Sequence, residues 1–552
     1  MFKKYHLVPI ALLLTLLSSF NLYSQTLPKI ISDKIIMQQN YLPDYSFAGY
    51  HNGEIKIPNI DTNIMLATDY GVIPNDALDD SKALLKAMEA ANNVKGNVVL
   101  QLPVGRIILS EILYIERSHF VLRGMGVGEN GTEIFYPRPM MYLENPEPLT
   151  ELREYLLKFD KREIQKENNI DLPFSQFAWS GGMIWTQVPG ERVKSYLQKY
   201  DQPKQVLAKV QQGNRGEHVI TVSNSNGLKV GDVVQLELFN TEGENGSIIQ
   251  DLYKNTKVKV GSHHWAFPDL PIVKQQVEIT KIVNNKVTIK SPLTISIKPS
   301  YNAQLVEWKH LEEVGIEQLK ITFPNAPRVA HHVEPGYNGI NLTRVFNSWV
   351  KDVVIHNADS GVLTEEIANV TIEDIVTEGS NMAHYTVAMA GVYNVLVKNL
   401  KVYNKAVHPL SFNTFSTKNV YQNCEVFTSP LLDQHSGANH QNLFDNITVH
   451  ISPKIDNSYP LFSGGGAGYW KPSHGAYSTF WNLNVHVLHK VDSEKPLVLN
   501  GIEDGPYAYI IGVNGNDTFK IDYEPHSYQE FINQPLNNVP SLYEYQLKQR
   551  LN

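Results

Sequence analysis

The sequence predicts an all-β chain wound as a parallel β-helix, and three observations carry that reading. Residues 303–515 hold an internal repeat, Asx anchors recur through it, and short β-branched or aromatic runs bounded by turn residues lie between them. The anchors are Asp352, Asp374, Asn399, Asn423, Asn446 and Asn482. Each precedes an apolar residue: Val353, Ile375, Leu400, Cys424, Ile447 and Leu483. The steps between anchors are 22, 25, 24, 23 and 36 residues, the last containing Gly464-Gly465-Gly466. A period near two dozen residues is one β-helix coil, and stacked coils lie roughly 4.8 Å apart. A second column stands five residues before the anchors at Asn347, Asn369 and Asn394, and one place later at Asn419 and Asn442. Stacked Asn residues satisfy the bent backbone at corners and pair amide to amide along the axis, so this ladder is structural. Cys424, at an apolar position after its anchor, is inert core.

The first residues read as a targeting signal. Lys3 and Lys4 precede an apolar run from Leu7 to Leu17, and Ser18 to Ser24 is smaller and more polar, so 1–24 is a secretory signal peptide. The run is too short to span a bilayer as a helix, and no later segment is a candidate. The expected location is the periplasm or exterior of a bacterium. A net charge of −8 without any basic block argues against a nucleic-acid partner. One cysteine cannot form an internal disulfide or a thiolate metal cluster. The 28 Tyr and 7 Trp supply flat rings suited to stacking on a ligand.

Residues 69–128 form an entry unit. Asp69-Tyr70-Gly71-Val72 leads into Pro74-Asn75-Asp76 and Asp79-Asp80-Ser81. A helix follows, with Leu84, Met88 and Ala91 on one face and Asp80 or Ser81 as its cap. Strands follow at Val98-Val99-Leu100, Ile107-Ile108-Leu109 and Phe120-Val121-Leu122. Gly124, Gly126 and Gly128 are spaced like a dinucleotide loop, but no helical pattern follows them.

The order D-Y-G-V, D-D-S, amphipathic helix, L-P-x-G, strand, L-R-G-x-G resembles the start of right-handed parallel β-helix proteins of the pectate-lyase-like superfamily, the polysaccharide lyase and hydrolase type. With the coils, the resemblance spans roughly two thirds of the chain. It implies a helix capping the open N-terminal end of the solenoid, whose apolar core and strand edges would otherwise be exposed. The domains expected are 25–140 as N-terminal cap and first coils, 141–300 as a β-rich insertion, 301–520 as the main coils and 521–552 as a C-terminal tail. The insertion shows short strands around Val219, Val234, Val277 and Val287, with turns at Gly231-Asp232 and Asn284-Asn285. It walls one side of a cleft, and His263-His264-Trp265 is one of its surface loops.

The period also places polar residues on one wall. Fifteen residues before successive anchors stand Tyr337, Asp359, His384, His408 and Leu431, so His384 and His408 are expected as rung neighbours. One place later come Asn338, Ser360 and Tyr385, and the next coil carries Asp433, Gln434, His435 and then His440. A solenoid wall needs none of these groups, whereas His, Tyr and carboxylate together suit proton transfer. His384, His408, Tyr385 and His435 are the catalytic candidates. Arg328, Tyr337, Asn338, Arg344, Asp359 and Asp433 are candidates for substrate binding, with Trp470, Lys471 and His474 from the Gly468–Gly475 loop. The plainer alternative makes each histidine a surface or turn residue and Asp359 a turn cap. His and Asp are metal-ligand types, but no H-x-H or HExxH spacing is present, so no metal is expected.

Members of the resembled superfamily mostly act on polysaccharides, many of them uronic-acid polymers. The expected activity is therefore β-elimination at a uronic acid of an acidic poly- or oligosaccharide, such as the algal polymers ulvan or alginate. A base removes the C5 proton, a cation such as Arg328, Arg344 or Lys471 neutralises the adjacent carboxylate, and an acid protonates the oxygen leaving C4. A sugar chain as leaving group makes a polysaccharide lyase, and water from a terminal uronate makes an oligosaccharide dehydratase. No cofactor is expected, since the calcium-binding acidic motif of pectate lyases has no match here. One alternative is a glycoside hydrolase with two carboxylates drawn from Asp359, Glu365, Glu366, Glu378 and Asp433, although Ser473-His474-Gly475 only partly matches the G-H-G of β-helix polygalacturonases. The other is a non-catalytic glycan-binding solenoid, which would need the aromatic residues but no histidine column.

Overall fold

The computed structural model describes residues 27–552 except 144–145, 160–161, 166–169, 195–196, 198–203, 242–245, 254–266, 467–469, 493 and 503–504. The signal-peptide stretch, His263-His264-Trp265, Gly468 and Tyr469 lie outside the described residues.

The chain folds as a right-handed parallel β-helix, with one wall of eighteen strands, a second of seven and a third of three. The long wall shows how the repeat builds a core. Val350, Ile372, Val397, Tyr421, Phe444, Phe480 and Ile510 are successive Cα partners across parallel rungs. All seven are buried. Because side chains alternate across a strand, equivalent residues on every rung stack into one interior column. Tyr421, Phe444 and Phe480 lie nearly parallel there, with centroids 5.8 and 5.3 Å apart.

The anchors turn the corners. Asp352, Asp374, Asn399, Asn423, Asn446 and Asn482 all have positive φ, between 51° and 57°. Asx residues enter this left-handed region more cheaply than other residues with a Cβ. The Asn399 amide donates to Asp374 (2.9 Å), Asn446 to Asn423 (2.7 Å) and Asn482 to Asn446 (2.9 Å). Asn347, Asn369 and Asn394 also have positive φ, and their neighbours on adjacent rungs are in register.

The helix Ser81–Asn92 buries Leu84, Ala87, Met88 and Ala91 in the core of the first coils. Its start differs from expectation. Asp80 makes no capping bond and accepts instead from Ile73 N, while Asp79 accepts from Ser81 N at 2.7 Å.

Six strands from Val206–Gln212 to Gln304–Glu307 close into an antiparallel barrel, so its last strand runs past the expected boundary at 300. Ile184–Thr186, inside the span assigned to the insertion, is a rung of the helix, paired with Leu113–Ile115 and with Ile340–Leu342. The barrel is joined to the solenoid by buried charges. Arg344 lies 2.6 Å from Glu366, and Lys274 lies 2.7 Å from the same carboxylate. Burial alone would raise the Glu366 carboxyl, but Arg344 and Lys274 hold it well below the usual range.

Residues 521–552 are more than a tail. Ser527–Ile532 is a further parallel rung, and the helix Leu542–Leu551 packs Leu542 and Tyr543 against Val420, Leu443 and Trp481. Those three alternate with the core-facing residues, so the helix covers the outer face of the long wall, together with Ile30 and Tyr45 from the N-terminal segment.

Candidate active site

The seven-stranded wall carries the site. Its rungs run in order from Leu113–Ile115 through Ile184–Thr186, Asn338–Thr343, Ser360–Glu365, Ala383–Met389 and Ala406–Asn413 to Leu432–His435. Its register corrects one expectation. Asn338, Ser360, Tyr385 and His408 are the successive Cα partners, so Tyr385 and not His384 stands opposite His408. The first three lie fourteen residues before their anchors and His408 fifteen, because its coil has one more residue between strand and corner. One extra residue in a turn shifts any column counted across it.

Tyr385 is stacked against both histidines. Its ring centroid is 4.3 Å from that of His384 and 4.9 Å from that of His408. One rung further, Ser411 pairs with Asp433 and Asn413 with His435. Asp433 is fully buried and gathers three partners at one oxygen, Oδ2. Ser411 Oγ donates to it at 2.6 Å, and the Nδ1 atoms of His408 and His435 lie at 3.0 and 3.6 Å.

The loop before Asn338 completes the cluster. His331 Nε2 is 3.3 Å from His384 Nε2, and the His331 ring stacks on His332 at 3.6 Å. His332 in turn packs edge-on against Phe174 and Trp179. Glu334, 2 % exposed, places Oε1 3.4 Å from His384 Nδ1 and 3.5 Å from Arg328 Nε.

Burial sets the protonation. It lowers His435 and His331 to about 4 and pushes His384 well below its usual value, each helped by neighbouring imidazoles. These rings are neutral at neutral pH. Burial raises the Tyr385 phenol, which stays protonated, and raises the Glu334 carboxyl. Burial would raise Asp433 too, but His408, His435 and Ser411 hold it below its ordinary value.

A cavity of about 420 Å³ opens onto this cluster. His331, Tyr385, His408 and His435 line it, with Phe174, Trp179 and Trp470 as aromatic walls and Lys194 beside Glu365. A volume in this range suits a small ligand or one end of a chain.

Several expected site residues are elsewhere or otherwise engaged. His384, 1 % exposed, does not line the cavity and sits behind the Tyr385 ring. Tyr337 is packed in the main core against Phe323. The Asn338 amide donates to the carbonyls of Phe177 and Gly181. Asp359 accepts from Gly336 N and Tyr337 N, and burial raises its carboxyl to about 6. Arg344 belongs to the ion network under the barrel. His474 is buried with Nε2 3.0 Å from Phe462 O, and Lys471 does not line the cavity, whereas its neighbour Trp470 does. Of the other carboxylates proposed for hydrolysis, Glu365 pairs with Lys194, Glu366 with Arg344, and Glu378 with Lys320 at 3.1 Å.

His331, His332, Phe174, Trp179 and Lys194 escaped the sequence reading. They come from segments outside the periodic coils, where register says nothing. The adjacent His331-His332, in a loop between Pro327 and Pro335, was the available signal.

No protein-family model matches the chain, and no curated protein matches it by sequence. Several solved structures have a similar course. The tailspike protein gp49 of Pseudomonas phage LKA1 is 10% identical, with a TM-score of 0.44, over 83% of this chain and 77% of that one. The family 28 exopolygalacturonase of Yersinia enterocolitica is 9% identical, with a TM-score of 0.33, over 86% and 78%. The A-module of the mannuronan C-5 epimerase AlgE4 of Azotobacter vinelandii is 10% identical, with a TM-score of 0.35, over 85% and 100%.

Proposed function

We propose that this protein is a secreted carbohydrate-active enzyme that performs β-elimination at a uronic acid of an acidic glycan. The observation that carries the reading is a base and an acid on one cavity. His435 is neutral and backed by Asp433, and Tyr385 is protonated, with ring centroids 6.5 Å apart. His435 takes the C5 proton, and Asp433 stabilises the imidazolium that forms. The C5–H electron pair becomes the C4=C5 double bond, the C4–O bond breaks, and Tyr385 protonates the leaving oxygen. Trp179, Phe174 and Trp470 offer faces for the sugar.

The small cavity favours action at a chain end, which suits an exo-acting lyase or a dehydratase releasing water from a terminal uronate. Hydrolysis is less well supported, because Asp433, Glu365 and Glu366 are each engaged by a buried basic or imidazole partner. The test is incubation with ulvan, alginate and their oligosaccharides while following the ultraviolet absorbance of the unsaturated uronate. A rise supports elimination. New reducing ends without that absorbance would overturn it in favour of hydrolysis, and binding without any product would favour a glycan-binding solenoid.

A further inference from the structure

We propose that His331, His384 and His408 together bind one divalent transition-metal ion, of the zinc type, at the wall of the cavity. One ring nitrogen from each lies within 4.8 Å of the others. The tightest pair, His331 Nε2 and His384 Nε2, is 3.3 Å apart. Two nitrogens held by one tetrahedral zinc at roughly 2.0–2.1 Å stand about 3.3–3.4 Å from each other.

The carboxylates around the cluster fit the same reading. Ligating histidines characteristically hand their second ring nitrogen to a carboxylate, which fixes the tautomer and strengthens the ligand. Here His384 turns Nδ1 toward Glu334 at 3.4 Å, and His408 turns Nδ1 toward Asp433 at 3.0 Å. Each arrangement leaves Nε2 for a metal, and among the described residues His408 Nε2 is a buried polar atom without a hydrogen-bond partner. Three imidazole nitrogens are a donor set that would leave a fourth position on a bound ion for water or a ligand oxygen. Sequence spacing hides such a site because its ligands come from a loop and two separate coils.

The ion's role rests on the elimination reading: at its open position it would take the uronate carboxylate, acidifying C5–H, while His435 and Tyr385 move the protons. The site itself does not depend on that reading. A second grouping, His408, Asp433 and His435, shares one ligand and is the competing location.

The experiment is calorimetric titration of Zn²⁺ into tag-free, chelator-treated full-length protein, with Co²⁺ absorption as an independent report of coordination. One ion per chain is expected, with tetrahedral cobalt bands. His331→Ala and His384→Ala should each weaken binding by more than about a hundredfold, and Glu334→Gln by about 10–100-fold. His435→Ala should bind as the wild type does. His331 is only partly buried, so His331→Ala decides the matter if His384→Ala fails to fold. Absence of saturable binding, or His331→Ala binding normally, overturns the proposal, and loss of binding only in His435→Ala moves the ion to the competing group. Binding is read without substrate. A bound ion without turnover would therefore sink the elimination reading alone, and elimination by protein that binds no ion would sink the metal site alone.

Discussion

The ring of Tyr385 stacks on that of His408, 4.9 Å away and 23° from parallel, because the two residues are Cα partners on adjacent parallel rungs. Rung pairing therefore fixes the distance between a protonated phenol and an imidazole held by Asp433. Neither group needs a loop to bring it into place, which is the rigidity a proton-transfer site requires.

Removing only the phenol oxygen tests the role of Tyr385. Tyr385→Phe keeps both ring stacks, so its melting temperature should stay near that of the wild type. Turnover should fall by about 10²–10⁴, the usual worth of a positioned acid. Near-normal turnover in this variant would remove Tyr385 from the mechanism.

Two histidines should separate chemistry from architecture. His435→Ala should lower turnover by a similar factor of about 10²–10⁴ with modest thermal effect. His474→Ala, which loses a buried contact to the Phe462 carbonyl, should lower the melting temperature and leave the turnover of folded protein unchanged. Measuring both quantities for both variants checks the assignment.

The barrel junction predicts a pure stability effect. Arg344→Met leaves Glu366 buried with Lys274 still beside it, so the loss should stay below the roughly 3–5 kcal/mol of a buried charge left unpaired. Denaturant unfolding should show that loss, while the folded fraction keeps its activity. An activity loss exceeding the loss of folded protein would return Arg344 to the site.

Asp445 predicts a pH dependence of stability. It accepts from Ser541 Oγ and from Leu542 N and Tyr543 N at the start of the C-terminal helix, and burial raises its carboxyl to about 7. The folded state thus holds this proton more tightly than the unfolded chain, whose carboxyl has the ordinary value of 3.8. The resulting stabilisation is full below that ordinary value and is lost as pH rises toward about 7. The melting temperature of the wild type should fall across this window more steeply than that of Asp445→Asn. Parallel curves would contradict the shift.

The solenoid was legible because its physics repeats. Each corner needs a residue that tolerates positive φ, so Asn399, Asn423 and Asn446 mark coils whatever lies between them. The same count placed Tyr385, His408, Asp433 and His435 on one wall. It paired His408 with His384 instead of Tyr385, because the coil of His408 has one more residue between strand and anchor. It assigned Arg344 to substrate because an arginine at a rung end looks alike whether it meets solvent or a docked barrel. His331, Trp179 and Lys194 reach the cavity from irregular segments, and no period encodes where an irregular segment goes.

The most direct measurement is the fate of solvent oxygen. The protein is incubated with a uronic-acid oligosaccharide in heavy-oxygen water, and the quenched products are weighed by mass spectrometry. Elimination forms the C4=C5 bond within the substrate, so the products should be unsaturated and carry no solvent oxygen beyond what the reducing-end hemiacetal exchanges in an enzyme-free control. Saturated products bearing one heavy oxygen at a new reducing end would show hydrolysis and contradict the roles given to His435 and Tyr385.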